Sequence, residues 1–406
     1  MIINYNNFIN LMINERVDAK MDIPSDILIF HDLFEKRGKK LYIVGGAVRD
    51  YLMGKKPHDF DMVTDAQPQE IIDILKDYRT DLMGAHFGVV RVFTESEPNG
   101  YEISSYRKDI SKGRHFKGND KKVQVGKHIT IKDDVKRRDL TINAMFYNIK
   151  NGEIIDVVGG LKDIRDNVIK TVGVPIKRFN EDRLRILRTL RFAAVTGGKI
   201  DKETSKAILK DNRLFGISEE DDVSRERIFA EFLKVKEKAR KNSNGSIITR
   251  FINLLIDYGL MSQIFPVLVT EKNISQTQYL TVALAQCLRQ NNIDDDFKQT
   301  LIDAKIPTSY INIISTLIKI LRLGVDPNNV YNIYREIKSN GIRNDILRDW
   351  IRVMRINDKN IIALLEYEPS TTGHEVMKDG FKKEQIGIEI SRRESLKFRE
   401  LLKTIN

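Results

Sequence analysis

The first 35 residues alternate apolar and polar positions at helical spacing, which predicts an N-terminal helical extension packed on the rest of the protein. From Lys40 to about Val158 the pattern shortens to β-like runs: LYIVGG, DFDMVT, GVVRVFT, GYEISSY, NAMFYNI and EIIDVV. Helical segments, AVRDYLMG and QPQEIIDILKDY, are interleaved with them, so this stretch predicts a small α/β unit built on a mixed sheet. After Asp163 no convincing strand follows. Segments such as RLRILRTLRFAAV, SRERIFAEFLKVKEKAR and ITRFINLLIDYGLMSQIF place apolar residues three and four apart. KNSNGS (241–246) and EYEPSTTG (366–373) are loops by composition. There is no internal repeat and no low-complexity block. The pattern predicts an α/β head followed by an all-α remainder.

With 406 residues the chain exceeds one ordinary core and should form two or more domains. No apolar run reaches the roughly 18–20 residues that span a bilayer, which excludes a membrane-spanning helix. The N-terminal stretch lacks the basic, apolar, small-residue order of a signal peptide. The single cysteine, Cys287, cannot form an internal disulfide, so a reducing cytoplasmic setting is expected. Its context, TVALAQCLRQ, fits a buried structural thiol better than a nucleophile. The net charge of +11 raises the expectation of an anionic partner without identifying one.

Six segments carry candidate chemistry. In YIVGGAVRDYL (42–52) a strand runs into Gly45 and Gly46, and a helix follows. Adjacent glycines let backbone N–H groups approach an anion, and the helix start favours negative charge. The same pattern also serves as an ordinary strand–turn–helix connection; Arg49 tilts it toward a polyanion. In PHDFDMVTD (57–65), Asp59 and Asp61 face one way on a strand, about 6–7 Å apart along the backbone. A carboxylate pair suits Mg²⁺, which takes oxygen ligands. Phe60 points the other way into the core, His58 is a turn residue, and Asp65 is expected to cap the next helix. Glu102, in YEISSYRKD, is either a third carboxylate beside the pair or an exposed strand residue. SKGRHFKGNDKK (111–122) is a basic loop, idle or closing over a substrate.

KRRDLTINAMFYN (136–148) offers Arg137 or Arg138 to a phosphate, Asp139 to a sugar hydroxyl, and Asn143 in support of either. Alone it also reads as a capped helix start with surface arginines. In RFNEDRLRILRTLRFAA (178–194), Glu181 and Arg185 are i,i+4 partners. Asp182, Arg185, Arg188 and Arg191 recur every three residues beside Leu184, Leu187 and Leu190. Three arginines on one stripe repel one another unless an anion lies across them, and an adjacent Asp and Arg present acceptor and donor groups to a base edge.

Together these segments resemble the class II tRNA nucleotidyltransferase/poly(A) polymerase family of the polymerase-β-like nucleotidyltransferase superfamily. The family order appears as GGAVRD (45–50), DFD (59–61), RRDLTINA (137–144) and EDRLRILRTLRF (181–192). GGLKDIRDNVIKTVG (159–173) matches the linking segment, SRERIFAEFLK (224–234) a later helical motif, and GHEVMKDGFKKEQIG the tail more weakly. The resemblance implies an N-terminal extension (1–35), a nucleotidyltransferase head (36–160), and an all-α neck (161–235), body (236–330) and RNA-binding tail (331–406). It implies that Asp59 and Asp61 bind metal, and that Gly45, Gly46, Arg49 and Arg138 contact a nucleoside triphosphate. It further implies that Asp139 reads the ribose with Asn143 nearby, that Asp182 and Arg185 template the incoming base, and that Arg188 and Arg191 flank it. Glu102 falls at the third carboxylate. Arg183 departs from the family, which commonly has a small residue or proline there.

The resemblance implies a CCA-adding enzyme using Mg²⁺, with tRNA, CTP and ATP as substrates and no stable protein partner. A poly(A) polymerase of the same family, or an enzyme adding only CC or only A, is the alternative. Two basic runs are candidates for RNA contact: Lys234, Lys236, Lys238, Arg240 and Lys241, and Lys382, Lys383, Arg392, Arg393, Lys397 and Arg399. Either is also the ordinary composition of a solvated face.

Overall fold

The structure is a computed structural model and describes residues 20–82, 88–109, 123–125, 128–216, 222–241, 245–266, 268, 270 and 274–405. Most of the expected N-terminal extension and the basic loop 111–122 with Arg114 lie outside these residues. The chain divides into two units, Met1–Asp211 with Gly216–Asp222, and Asn212–Phe215 with Val223–Asn406.

The first unit runs α1 (Ser25–Lys36), β1 (Leu41–Val44), α2 (Gly46–Leu52), β2 (Asp61–Thr64), α3 (Pro68–Ile74), β3 (Arg79–Leu82), β4 (Val89–Phe93) and β5 (Tyr101–Ser105). It continues β6 (Arg107–Asp109), β7 (Val123–Val125), α4 (Ile131–Arg137), a 3₁₀ turn (Thr141–Asn143), β8 (Phe146–Asn148), β9 (Ile154–Ile155), α5 (Gly160–Arg165) and β10 (Val168–Ile169). Helices α6 (Pro175–Glu181) and α7 (Leu184–Thr196), strand β11 (Lys199–Ile200) and helix α8 (Lys202–Lys210) complete it. The main sheet has the order β3-β4-β5-β2-β1-β8-β9. β2 and β5 are parallel and the other neighbours antiparallel, which is the expected mixed sheet.

Alternation explains which faces are buried. Tyr42, Val44, Val63 and Phe146 project to one face and pack with Tyr106, Val135, Ala144 and Val172. Ile43, Met62 and Ile103 project to the other and are fully buried. There Phe30 of α1 meets Tyr101 edge-on, ring centres 5.9 Å apart.

Four expectations change. β3 escapes the pattern because RTDL has no apolar alternation; it is held by pairing with β4. β10 and β11 form a parallel ladder of two residues each, too short to leave a periodic signal, after the point where no strand was expected. Asp65 does not cap the following helix: Gln67 does, in a capping box with Glu70, while the Asp65 carboxylate accepts from the Lys40 N–H at 2.8 Å. The arginines of KRRD close a helix instead of starting one, since α4 ends at Arg137 and Arg138 is its C-cap.

The second unit is helical throughout its described residues: α9 (Arg225–Lys241), α10 (Ser246–Asp257), α11 (Met261–Ile264), α12 (Leu280–Leu288), α13 (Asp295–Asp303), α14 (Thr308–Leu323), α15 (Val330–Ser339), α16 (Asn344–Met354), α17 (Lys359–Ala363), α18 (Gly373–Lys378) and α19 (Glu384–Thr404). Cys287 lies in α12, every residue of which is buried, as its apolar context predicts. The loop EYEPSTTG is fixed from beneath. The fully buried Glu394 carboxylate accepts from the Tyr367 hydroxyl at 2.9 Å and the Thr371 N–H at 2.7 Å, with Lys397 at 3.1 Å. Among the described residues no helix is long and apolar enough to cross a membrane.

Candidate active site

Sheet register brings the glycine turn and the aspartate pair together. β1 ends at Val44, which pairs with Asp61 at the start of the antiparallel β2. The chain therefore leaves Val44 into Gly45 directly beside Asp61. Gly45 adopts φ +72, which an L side chain rarely takes, and a Cβ built on it would point to Arg138 Nη1 at 3.7 Å and Asp61 Oδ2 at 3.9 Å. Two opposite charges from different motifs thus border one turn.

Asp59 lies just before β2, yet the exposed–buried–exposed order of Asp59, Phe60 and Asp61 persists, and Phe60 packs inward as expected. On the other side of β2, Met62 pairs with Ile103 of the parallel β5, so Asp61 and Glu102 are the next residues along both strands. Protein packed around Asp61 raises its carboxyl to about 6, reinforced by the charges of Asp59 and Glu102 and opposed by Arg138 and Arg107. Glu102 is itself held by Arg91 Nη2 at 2.7 Å and stays half exposed. Glu102 thus adds negative charge near Asp61 while pairing with Arg91.

Oxygen donors gathered here, with burial and then the charges of Asp59 and Glu102 opposing ionisation of Asp61, fit a divalent cation, which would relieve that repulsion. Asp59, Asp61 and Glu102 are not drawn as tightly together as His31, Asp32 and Glu35 on α1, whose donor atoms lie within 4.8 Å of one another. That group is mostly exposed, as acidic helix faces commonly are.

The RRD segment is held on a residue that motif reading overlooks. Asp134 is fully buried and accepts from Arg137 Nε at 2.8 Å and Arg138 Nε at 3.0 Å. Burial works to raise its carboxyl, and the two arginines overrule it and hold it below the usual range. Its spacing, three and four residues before the arginines on a helix, is the signal that could have found it. Arg138 also lies over the Phe146 ring, 5.2 Å from its centre.

Asp139 accepts from the Leu140 N–H at 2.8 Å and from Arg188 Nε at 2.7 Å. Burial raises its carboxyl, but the charge and hydrogen bond of Arg188, with smaller help from Leu140 and Arg185, bring it down to about 2. Asn143 accepts from Arg49 Nη1 at 2.7 Å. The 3₁₀ turn that carries it is seated on α5. Thr141 Oγ1 donates to Asp163 at 2.6 Å, and a Cβ on Gly160 would lie 2.4 Å from the Thr141 carbonyl oxygen.

The EDRLR segment is a helix break and not one continuous helix. α6 ends at Glu181, Asp182 is extended (φ -160, ψ 105), and α7 starts at Leu184 with the Asp182 carboxylate accepting its N–H at 3.1 Å. Arg183 is buried and reaches Asp211 with Nη2 at 2.7 Å. Arg185 keeps its expected pair with Glu181, at 3.0 Å, and donates to the Arg137 carbonyl at 2.9 Å. The stripe of arginines does not need an external anion to stand. Asp139 answers Arg188, Glu181 answers Arg185, and Arg191 lies 4.1 Å from the centre of the Phe192 ring.

In the second unit the first basic run divides. Lys234 pairs with the buried Glu231 at 2.8 Å and Lys241 with Glu237 at 2.7 Å. Lys236 and Arg240 line a groove of about 650 Å³ with Tyr279, Tyr310 and Arg343. Lys236 Nζ sits 4.9 Å from the Tyr310 ring centre. In the second run, Arg392 and Arg393 both hold Glu389, each at 2.8 Å.

Residues 41–170 match the family described as the Poly A polymerase head domain. The chain is 38% identical over 216 residues to a CCA-adding enzyme of Lactococcus lactis, covering 52% of each chain. It is 32% identical over 260 residues to Poly(A) polymerase I of Escherichia coli, covering 61% of this chain and 51% of the relative. It thus spans about half the length of these curated relatives. Its fold is similar to that of a Thermotoga maritima CCA-adding enzyme complexed with tRNA, with a TM-score of 0.62 and 18% identity over 98% of this chain and 97% of that one.

Proposed function

Starting from a chain whose residues 41–170 form a Poly A polymerase head domain, we propose that the protein adds C, C and A to the 3′ end of tRNA from CTP and ATP. The observation that carries this reading is the meeting of Asp61 and Arg138 at the Gly45 turn, with Asp59 and Glu102 charging the same place. Gly45, Gly46, Arg49 and Arg138 seat the triphosphate. Asp59 and Asp61 hold divalent cations, for which oxygen donors and the need for charge relief favour Mg²⁺. Held there, such ions would supply Lewis-acid activation of the RNA 3′-hydroxyl and charge neutralisation of the leaving pyrophosphate. The 3′-oxygen bonds the α-phosphorus as the α–β phosphoanhydride breaks. Asp139, held ionised, accepts from a ribose hydroxyl, and Asn143 fixes Arg49. Asp182, in the break before α7, and Arg185, on its first turn, present acceptor and donor to the base edge. The division of the helical part into neck, body and tail belongs to the same reading. A cytoplasmic setting is supported by cysteine usage: the single cysteine, Cys287, is buried and the chain has no second cysteine.

Supplying RNA that ends in a 3′-hydroxyl with CTP or ATP labelled at the α-phosphate tests the reaction. Label moves to the RNA with one pyrophosphate released per nucleotide, and RNA ending in a 3′-deoxy group takes none. Label transfer to the 3′-deoxy end would contradict it. A second reading, poly(A) polymerase, is favoured by the match to the Escherichia coli enzyme, whose 260 aligned residues extend further along this chain than the 216 of the Lactococcus enzyme. It predicts homopolymer A on unrelated RNA.

Two further outcomes are expected. Cation binding needs ionised Asp61, so at limiting Mg²⁺ the acidic limb of the rate profile falls near pH 6 and moves lower as Mg²⁺ is raised. A limb that ignores Mg²⁺ would remove Asp61 from cation binding. Lys236 and Arg240 are assigned to the RNA backbone, so Lys236→Ala with Arg240→Ala weakens tRNA binding. It also flattens the log K against log salt slope by about 1.4–1.8, as measured by filter binding between low and moderate salt. An unchanged slope would exclude the groove.

A further inference from the structure

Phe192 has no part in the chemistry assigned above, yet cations gather on it. Among the described residues three guanidiniums lie over its ring: Arg191 at 4.1 Å from the centre, Arg49 at 5.1 Å and Arg188 at 5.9 Å. Arg49 comes from α2, behind the glycine turn; Arg188 and Arg191 come from α7, behind the helix break. The ring is 7% exposed, as are Arg49 and Arg191, so little water screens these charges; Asp50 answers Arg49 at 2.6 Å and Asp139 answers Arg188.

The contacts form a closed circuit. Arg49 Nη1 donates to Asn143 Oδ1 at 2.7 Å, Asn143 Nδ2 approaches Asp139 Oδ1 at 3.5 Å, and Arg188 Nε donates to Asp139 Oδ2 at 2.7 Å. Phe192 closes the circuit between Arg188 and Arg49. A carboxylate in its place would hold the arginines but cancel their charge and compete with an incoming anion. A leucine would fill the volume without attracting them. An aromatic face attracts cations through its quadrupole and adds no negative charge beyond that of Asp50 on Arg49 and Asp139 on Arg188.

We infer that Phe192 is a positioning residue: its ring assembles Arg49, Arg188 and Arg191 into one preorganised cationic surface for the triphosphate of the incoming nucleotide. The inference rests on the nucleotide site proposed above. A residue that only packs the core would tolerate an apolar replacement with no change in anion affinity.

The test is calorimetric titration of the full chain with inorganic tripolyphosphate and with CTP, alongside steady-state incorporation. Phe192→Leu weakens both ligands about tenfold and raises the KM for CTP to match, with kcat within about twofold. Phe192→Tyr, which keeps the ring, restores affinity. Should the leucine variant fail to fold, Phe192→Met supplies the same comparison with an adaptable apolar side chain. Ring-free variants that bind tripolyphosphate within twofold of the unaltered chain would overturn the inference and leave the nucleotide site standing. An unaltered chain that binds neither ligand would overturn the nucleotide site itself.

Discussion

Replacing Asp61 by asparagine lowers nucleotide incorporation by about a thousandfold or more, some 4 kcal/mol of transition-state stabilisation, and leaves RNA binding within about twofold. Asparagine keeps the shape and loses the charge that a cation requires. The expected effect on stability has the opposite sign. In the folded protein the Asp61 carboxyl is raised from 3.8 to about 6, so the native state binds its proton more tightly than the unfolded chain. The associated stability is complete below about pH 3.8 and lost as pH rises through about 6. At neutral pH the ionised carboxylate is therefore a small liability without a cation, and the asparagine variant melts no lower than the parent. Activity lost together with stability would point to a structural role. Activity retained would remove Asp61 from the reaction.

Replacing Asp182 by alanine degrades the choice between C and A by about 10- to 100-fold, the worth of one or two base-edge hydrogen bonds, while total nucleotide addition falls far less. Competition between CTP and ATP on one RNA end measures it. The geometry makes the test specific. Asp182 stands in extended backbone between α6 and α7, and Arg185 is already fixed by Glu181 and the Arg137 carbonyl. Removing the Asp182 carboxylate takes one acceptor from the base edge without freeing Arg185. It also removes the acceptor of the Leu184 N–H, a cost of about 1 kcal/mol, which is small beside the selectivity effect. Unchanged selectivity would exclude Asp182 from base reading.

The head was legible because its strands alternate cleanly and its motifs sit at strand ends. LYIVGG and DFDMVT predict the two strands with the glycines and aspartates at their ends; the antiparallel pairing that sets them side by side is seen only in the fold. Short elements were not legible: RTDL has no apolar face, and a two-residue ladder such as β10–β11 leaves no period. Helix ends were the weakest point. Asp65 has the chemistry of a cap, but Gln67 and Glu70 form a reciprocal capping box across the helix start at Pro68. EDRLR reads as one helical stripe, yet its chain breaks at Asp182, because spacing by three records a face and says nothing of backbone direction. The supports of the site were hidden for a different reason. Asp134 has its arginines three and four residues on and reads as an ordinary helix acid until the fold buries it, and Phe192 reads as a core aromatic until Arg49 is brought onto it from α2.

The central claim is that one site adds a defined C, C, A sequence to tRNA. Sequencing the 3′ ends of a tRNA that stops at its discriminator base, after incubation with CTP alone, ATP alone or both, tests it most directly. The expected ends are CC with CTP alone, none with ATP alone, and CCA with no further residues when both are present. Runs of A on that tRNA, or on an unrelated RNA, would contradict it.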